Sequence, residues 1–448
     1  MKKKKRIILI VSAVFGVAIL TVGIYAAVML VKPYYIADSL TEETNILLPK
    51  SETAKVTSTA KGDNQSKVAR LHDDVFTYYL DNTGCTDASI VDQNDKTMRL
   101  IKIDSAGAYV IFDSIPVWMH GNVLVNEAEE LIYYTTYEAT SLNNRALGFV
   151  KIYTYDYNEG NPLRIDETTL AADDEDSLNY LRMAEANPRV GADIDPDGNI
   201  AVAFDNYPGI MYVHVYDHDS DTWIKHVVPQ YQDTYFGDCT YYPYVRIHGI
   251  NTIKIIAGQD TAFTSTGEPI MTAGRAYTRY FSYDGTEWSH WIIADVREPG
   301  VEDKSIQEAL PCDLYLDEDL NTHAIVQEGL RYHHFVIDPL GNTTEIDLFH
   351  LENNITVNFI RIVIVNDIKM YLVSGSTYKN FKQTGFIELY DYESHQLLYR
   401  NNALCNVPYP YVAGENGSAY LDIMIISRDG KYVENCDTFF IQLVLLTE

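Results

Sequence analysis

The stretch RYFSYDGTEWSHWII, residues 279–293, contains two runs of apolar and aromatic residues joined by a turn with Asp284 and Gly285. This pattern predicts a β-hairpin, because Asp and Gly favour tight turns and the flanking residues favour strands. Related hairpins recur at residues 100–112, 151–165, 214–228, 333–349 and 387–400. Their turns are about 52 to 65 residues apart, and such a period indicates a repeat architecture.

We call these hairpins the outer hairpins. In most of the repeats a second hairpin, the inner hairpin, precedes the outer one. The inner hairpins are at residues 122–137, 190–205, 244–258, 313–328 and 359–375. Two hairpins make four strands, which is the unit of a β-propeller blade. With 73–96 and 410–448 as the first and last units, the sequence predicts an all-β, seven-bladed propeller, with six or eight blades as alternatives. Ring closure is expected from pairing of Val75–Leu80 with Phe439–Leu446.

The N-terminal region has the pattern of a membrane anchor. Residues 7–31 contain no charged side chain and as a helix would exceed the ~30 Å hydrocarbon core of a bilayer. The basic residues among 1–6 precede this run, and this asymmetry predicts a cytoplasmic N-terminus. We therefore expect a cytoplasmic tail (1–6), a transmembrane signal-anchor helix (7–31), a flexible stalk (32–70) and an extracytoplasmic propeller (71–448). The expected location is the plasma membrane, single-pass type II, and a cleaved signal peptide is the alternative.

The charge of the chain limits its partners. The formal net charge is −29, and without the six basic residues of the first 32 it is −35. A field of this sign repels nucleic acid, since nucleic-acid binding depends on Lys and Arg at the phosphates. A glycan or a protein outside the membrane is the expected partner, together with the lipid bilayer around 7–31.

Two of the hairpin turns carry a family resemblance. SYDGTEW (282–288) resembles a shortened Asp-box, the S-x-D-x-G-x-T-W turn of sialidase-like propellers, and YDHDSDTW (216–223) resembles a degenerate copy. The resemblance implies a β-propeller fold in which this turn is structural. It implies that Ser282 and Asp284 bond to the backbone of their own turn and that Trp288 packs between blades.

The same resemblance does not extend to sialidase activity. Sialidases share an early Arg in an F/Y-R-x-P setting, and no such string occurs near the start of this propeller. Arg246, in YVRIHG, lies in a superficially similar string but is in the middle of the chain and lacks the Pro. The resemblance therefore implies the fold and not the reaction.

Long connections between hairpins are expected to lie on one face of the ring, where loops on a rigid scaffold concentrate binding. Several contain Tyr, which offers a flat apolar ring and a hydroxyl to a sugar or a protein. The candidate ligand-binding residues are Tyr207, Tyr231, Tyr235, Phe236, Asp260, Arg275 and Tyr378.

Catalytic candidates are few. Glu328, Arg331, Tyr332 and His334 cluster in EGLRYHH, where a His or Tyr beside Arg has the chemistry of a general base. His333 and His334 are expected to point to opposite faces of a strand.

No metal or cofactor is predicted. The string DIDPDGN (193–199) begins like a calcium loop, but Phe204 stands where that loop needs Glu. A hairpin turn at Pro196–Gly198 explains the string without a metal.

Three functions are compatible with the sequence. The first is a binding protein for a glycan or protein, because long loops and aromatic residues are present while a recognisable catalytic motif is not. The second is a carbohydrate-active enzyme, either a glycoside hydrolase or a polysaccharide lyase, that uses the EGLRYHH residues. The third is a non-catalytic scaffold subunit of a cell-surface complex. The fold does not choose among them, since propellers support all three.

Overall fold

The structure is a computed structural model of the 448-residue chain. It describes residues 40–47, 67–81, 97–117, 121–139, 147–157, 160–170, 181–182, 190–206, 210–229, 240–259, 277–295, 309–328, 331–346, 348, 355–365, 368–379, 382–401, 408–413, 420–427 and 438–445. All regular elements in these ranges are β-strands.

The first described strand is β1 (Leu40–Leu47), which belongs to the last sheet. The strands after it form sheets that each follow one run of sequence. Sheet 1 contains β2 (Ala69–Leu71), β3 (Asp74–Asp81), β4 (Thr97–Ile103) and β5 (Tyr109–Pro116). Sheet 2 contains β6 (Asn122–Asn126), β7 (Leu131–Ala139), β8 (Leu147–Asp156), β9 (Leu163–Leu170) and the short β10 (Leu181–Arg182). Sheet 3 contains β11 (Val190–Ile194), β12 (Ile200–Asn206), β13 (Ile210–Asp217) and β14 (Thr222–Val227).

The second half of the chain repeats the arrangement. Sheet 4 contains β15 (Thr240–Ile247), β16 (Ile253–Gln259), β17 (Tyr277–Tyr283) and β18 (Trp288–Asp295). Sheet 5 contains β19 (Ala309–Leu316), β20 (Thr322–Glu328), β21 (Arg331–Ile337) and β22 (Thr343–Ile346). Sheet 6 contains β23 (Ile355–Val365), β24 (Ile368–Lys379), β25 (Lys382–Asp391) and β26 (Leu397–Asn401). Sheet 7 contains β27 (Pro408–Ala413), β28 (Tyr420–Ser427), β29 (Thr438–Leu445) and, beyond β29, β1.

The sheets form a closed ring. The first strand of each sheet contacts the first strand of the next, and β27 contacts β2. The inner and outer hairpins expected from the sequence are present as antiparallel pairs, for example β15 with β16 and β17 with β18. Radial four-stranded sheets of this kind are the blades of a propeller. The all-β, β-propeller prediction is therefore confirmed, and six of the sheets consist of one continuous run of chain.

Each sheet is an antiparallel meander, so its connections leave by two different edges. Links between strands one and two and between strands three and four leave on one face of the ring, which we call the short-turn face. Its turns meet across sheets: His72 of sheet 1 lies 3.3 Å from Glu130 of sheet 2, and Glu129 lies 3.4 Å from His218 of sheet 3. The other links leave on the long-connection face.

Apolar side chains fill the space between neighbouring sheets. Between sheets 3 and 4 the cluster includes Ala203, Val213 and Ile255, each fully buried. Trp288 is half-buried against this cluster, with its ring 6.3 Å from the His226 ring of sheet 3. The expectation that Trp288 packs between blades is confirmed. Burial of apolar surface at every such junction is the main favourable contribution to the fold.

Ring closure differs from the expectation. Strand β29 pairs with β1, so that Leu40 faces Leu445 and Leu47 faces Phe439. Strand β3, which contains the predicted Val75–Leu80, instead lies between β2 and β4. It has no free edge to offer, so the predicted pairing was wrong. The predicted stalk, 32–70, therefore contains a closing strand.

The recurrent turn aspartates fold back on their own hairpins. Asp284 Oδ1 accepts hydrogen bonds from the Thr286 and Glu287 backbone N–H groups at 2.9 and 3.0 Å. This confirms the expectation for Asp284. Ser282 behaves differently, because its Oγ accepts a hydrogen bond from Lys254 Nζ at 2.6 Å.

The DIDPDGN string forms the predicted hairpin turn. Asp195 Oδ1 accepts hydrogen bonds from the N–H groups of Asp197 and Asn199, and Gly198 adopts a left-handed φ of 86°. Asp195 Oδ2 also accepts the Gly249 N–H of sheet 4 at 2.7 Å. The carboxylate thus fixes its own turn and joins it to the next sheet.

No helix in the described part of the chain is long and apolar enough to cross a membrane. The predicted anchor, 7–31, lies outside the described residues, so it stays a prediction.

We predict that Asp195→Ala lowers the free energy of unfolding by about 2 kcal/mol, because buried backbone N–H groups lose their acceptor. Asp104→Ala is the matched control, since Asp104 caps the same kind of turn through Ala106 and Ala108 within one sheet. Urea denaturation of both variants measures the difference. Equal losses would mean that the bond to sheet 4 contributes nothing.

Candidate functional site

Most predicted ligand-binding residues belong to connections. Tyr378 is in strand β24, and its side chain lies outside the described residues. The other candidates also lie outside them and stay predictions: Tyr207, Tyr231, Tyr235, Phe236, Asp260 and Arg275.

The catalytic candidates occupy one hairpin of sheet 5. Glu328 of β20 pairs with Arg331 of β21 at the long-connection edge, although their side chains lie outside the described residues. Tyr332 is half-buried against the core between sheets 5 and 6. His334 is fully buried, and its ring is hydrogen-bonded within the junction of these sheets. His334 is therefore placed inside a sheet junction, and a catalytic role for these residues stays a prediction.

The two adjacent histidines point to opposite faces of their strand, as expected. His333 Nδ1 lies 2.6 Å from Glu345 Oε1 of the neighbouring outer strand, whereas His334 points toward sheet 6. Only alternate residues of a strand share a face, so these two side chains belong to different environments.

Three charged pairs join neighbouring sheets through residues of their first or second strands; we call them the inner-strand ion pairs. Arg70 of β2 binds Asp422 of β28 through two hydrogen bonds of 2.7 Å. Arg246 Nη1 of β15 lies 2.9 Å from Asp193 Oδ1 of β11. The third pair is Asp313–Arg361.

The Asp193 and Asp313 carboxylates each also accept a backbone hydrogen bond from the next sheet. Asp193 Oδ2 accepts the Ile247 N–H at 2.9 Å, and Asp313 Oδ2 accepts the Ile362 N–H at 2.7 Å. In the Asp313–Arg361 pair the Arg361 Nη1 is 3.8 Å from Asp313 Oδ1. A carboxylate held by a guanidinium and an N–H group is stabilised in its charged form.

These contacts restrict the chemistry available at the inner strands. General acid catalysis needs a carboxylic acid that keeps its proton near neutral pH. The carboxylates of the three inner-strand ion pairs are each paired with an arginine. These three carboxylates therefore hold neighbouring sheets together.

A second group of polar residues lies between sheets 5 and 6 toward the short-turn face; we call it the His–Tyr cluster. Its distances are 3.1 Å from His323 Nδ1 to His334 Nε2, 2.9 Å from His334 Nδ1 to the Tyr371 hydroxyl, and 3.2 Å from His323 Nε2 to Asp317 Oδ2. The Tyr392 ring stacks on Tyr371 at 5.0 Å.

The carboxylate fixes the direction of this hydrogen-bonded chain when both imidazoles are neutral. Asp317 can only accept, so His323 Nε2–H donates to it and His323 Nδ1 is an acceptor. His334 Nε2–H then donates to His323 Nδ1, and the Tyr371 hydroxyl donates to His334 Nδ1. Every polar atom of the chain is satisfied in this single arrangement, which makes the cluster a specific joint between two sheets.

Burial keeps both histidines neutral. Burial, together with the nearby His323 and Lys369, lowers the pKa of His334 from 6.5 to about 3. Burial also lowers the pKa of His323, against the opposing effect of Asp317. Burial raises the pKa of Tyr371. The two histidines and Tyr371 of the cluster are thus neutral near neutral pH, as expected for a structural joint.

Several residues of these sites, among them His323, Asp313 and Arg361, were not predicted from the sequence. A signal existed for Arg361, because FIRIVIV places one charged residue inside an otherwise apolar strand. Such a residue is almost always paired when buried. No comparable signal identifies His323.

Comparison with known proteins supports the fold. No family model matches the chain, and no curated protein matches it. Among solved structures, the polysaccharide lyase Uly1 matches with a TM-score of 0.52 and 11% identity, over 93% of this chain and 100% of that chain. An inactive virginiamycin B lyase from Staphylococcus aureus matches with a TM-score of 0.46 and 10% identity, over 91% of this chain and 99% of that chain. A GH93 α-L-arabinofuranosidase of Fusarium graminearum matches with a TM-score of 0.47 and 9% identity, over 90% of this chain and 98% of that chain. At this identity the Uly1 likeness shows a shared fold alone.

We predict that the chain loses stability as the pH falls below about 6.5. Both cluster histidines have a lower pKa in the folded than in the unfolded chain, so below 6.5 the unfolded state binds more protons. His334→Gln should reduce the slope of unfolding free energy against pH by up to about 1.4 kcal/mol per pH unit. Thr169→Ala, at an exposed residue that does not titrate, is the control and should keep the parent slope. An unchanged slope in His334→Gln would contradict the assignment.

We also predict strong coupling within the Asp193–Arg246 pair. Arg246→Ala should cost about 3 to 5 kcal/mol, because it leaves a largely buried carboxylate without its cation. A double-mutant cycle with Asp193→Asn measures the coupling. The exposed Lys151–Glu167 pair provides the reference cycle, with an expected coupling below about 1 kcal/mol. Similar values for both pairs would contradict a special role for the inner strands.

Proposed function

We propose that this protein is a membrane-anchored, extracytoplasmic β-propeller that binds a glycan through its long-connection face. The observation that carries the proposal is the difference between the two faces. On the short-turn face, turn carboxylates such as Asp195 and Asp317 bond to their own hairpins or to neighbouring sheets. The connections 230–239 and 260–276 join strand ends on the opposite face. The first of them contains Tyr231 and Tyr235.

Charge favours an uncharged or cationic ligand. The formal net charge of −35 beyond residue 32 opposes a polyanion. The inner-strand ion pairs neutralise one another, so they add no cationic site for an acidic sugar. Tyrosine rings are well suited to stack on sugar rings and to bond their hydroxyls. A neutral glycan fits these properties better than an acidic one.

Binding is favoured over catalysis by the described residues. His334 bonds to Tyr371 and His323 inside a sheet junction, and a group with these partners has no route to a substrate. The alternative function is that of a carbohydrate-active enzyme, since the similar Uly1 structure is that of a polysaccharide lyase. A scaffold that binds only protein is the other alternative.

We further propose that sheet 7 is a complete blade and that the ring has seven. Its four strands combine β27, β28 and β29 with β1, and closure by strands from both ends of a chain protects the last edge. The resemblance of SYDGTEW (282–288) to the Asp-box supports a relationship to sialidase-like propellers at the level of the fold.

We predict that the full chain, held in nanodiscs, binds a glycan on a glycan array. Tyr231→Ala and Tyr235→Ala should each weaken that binding roughly tenfold, about 1.4 kcal/mol, through loss of ring contact. Tyr109→Ala is the control, because Tyr109 is 38% exposed on β5 next to a short turn, and its affinity should be unchanged.

The products decide between binding and catalysis. An intact glycan after long incubation with the protein supports the binding function. New unsaturated ends indicate a lyase, and new reducing ends without unsaturation indicate a hydrolase. Absence of any glycan binding at high protein concentration overturns the proposed ligand class and favours the protein scaffold.

A further inference from the structure

The position of β1 fixes where the N-terminal part of the chain meets the ring. Strand β1 is the outermost strand of sheet 7, and its first residue, Leu40, pairs with Leu445 near the end of β29. The neighbouring Val444 pairs with Tyr420, the first residue of β28. The start of β1, the end of β29 and the start of β28 therefore lie at the same edge of the sheet.

That edge belongs to the short-turn face. Asp422, two residues after the start of β28, binds Arg70 at 2.7 Å. Arg70 in turn donates a hydrogen bond to the Asp73 carbonyl in the β2–β3 turn, and its guanidinium lies 4.6 Å from the Tyr420 ring. Since the β2–β3 turn is a short turn of sheet 1, the chain enters sheet 7 from the short-turn face.

The segment between the expected anchor and the ring is short. Residues 32–39 are the only ones between the end of the apolar run at Val31 and the start of β1 at Leu40. Eight residues span at most about 28 Å even when fully extended. The sequence pattern suggested a 39-residue stalk, whereas the closing strand leaves a tether of about one fifth of that length.

We propose that the short-turn face lies toward the membrane and that the long-connection face points away from it. This orientation rests on the proposed anchor at 7–31. A tether of at most about 28 Å that leaves from one face holds that face on the membrane side. The short-turn face is therefore turned toward the lipid surface, and the proposed glycan-binding face is presented outward.

The charge of the short-turn face determines how closely it approaches the bilayer. Its exposed turns are acidic, with Glu127, Glu129, Glu130, Glu287, Glu318, Asp319 and Glu393 all exposed. Anionic headgroups repel such a surface over roughly a Debye length of 8 Å at physiological salt. The tether thus holds the face near the membrane while the charges prevent adsorption onto anionic lipid.

Energy transfer to labelled lipids tests the orientation. A fluorescent amino acid replaces either Leu163 or Thr169 in the full chain, reconstituted in nanodiscs that contain acceptor-labelled lipid. Both residues are exposed on the edge strand β9, with Leu163 at its short-turn end and Thr169 at its long-connection end. They are about 20 Å apart along the strand, so transfer should be roughly twofold more efficient from position 163. Equal transfer, or higher transfer from position 169, overturns the proposal.

A longer tether provides the second variant. Thirty Gly and Ser residues inserted between Lys32 and Leu40 should remove the difference between the two positions, because the ring can then turn over. A difference that persists would show that the tether does not set the orientation and would overturn the argument. The proposed anchor has its own test: extraction of the full chain from membranes by alkaline carbonate would contradict a transmembrane segment. Glycan binding is measured independently of both results.

Discussion

The ring depends on hydrogen bonds that run from an inner-strand carboxylate to a backbone N–H group of the next sheet. Within the described residues each sheet is a separate hydrogen-bonded unit, so no backbone ladder fixes the height of one sheet against another. Apolar side chains fill the junctions but are non-directional. Two directional hydrogen bonds fix the height of one sheet against the next: the Ile247 N–H donates to Asp193, and the Ile362 N–H donates to Asp313. A shift of one sheet by one residue would break these bonds and leave a buried charge without partners.

The His–Tyr cluster performs the same task by a different means. Sheets 5 and 6 are joined by an oriented chain of neutral donors and acceptors that ends on Asp317, and the aromatic rings of Tyr371 and Tyr392 stack beside it. A catalytic relay would need one end open to a substrate, whereas Tyr371 and His334 are fully buried. Histidine beside tyrosine is therefore, in this fold, a means of fixing geometry. Specific polar contacts make the ring rigid, and a rigid scaffold is what the proposed binding by the long connections requires.

Local features of the sequence were predictable, and long-range ones were not. The hairpin at 279–293, the turn at Asp284 and the position of Trp288 each follow from a few neighbouring residues, because turn chemistry and strand alternation are local properties. The Arg246–Asp193 pair joins residues that are far apart in sequence, and a single sequence contains no signal that links them. The same is true of β1, whose residues 40–47 are polar enough to be read as a stalk until their partner β29 is known. The candidate ligand-binding tyrosines lie in connections without a repeated pattern, where spacing carries little information.

The pairing of β1 with β29 also has a consequence for biosynthesis. The first described strand, β1, finds its partner roughly 400 residues later, which at ~5–20 residues per second is a delay of about 20 to 80 seconds. During this interval β1 presents unpaired backbone groups to whatever strand is nearby, and unpaired edges promote association between chains. Polar residues in LTEETNIL make such mispairing less favourable than an apolar strand would. The polar composition that makes residues 40–47 resemble a stalk therefore also suits a strand whose partner is synthesised much later.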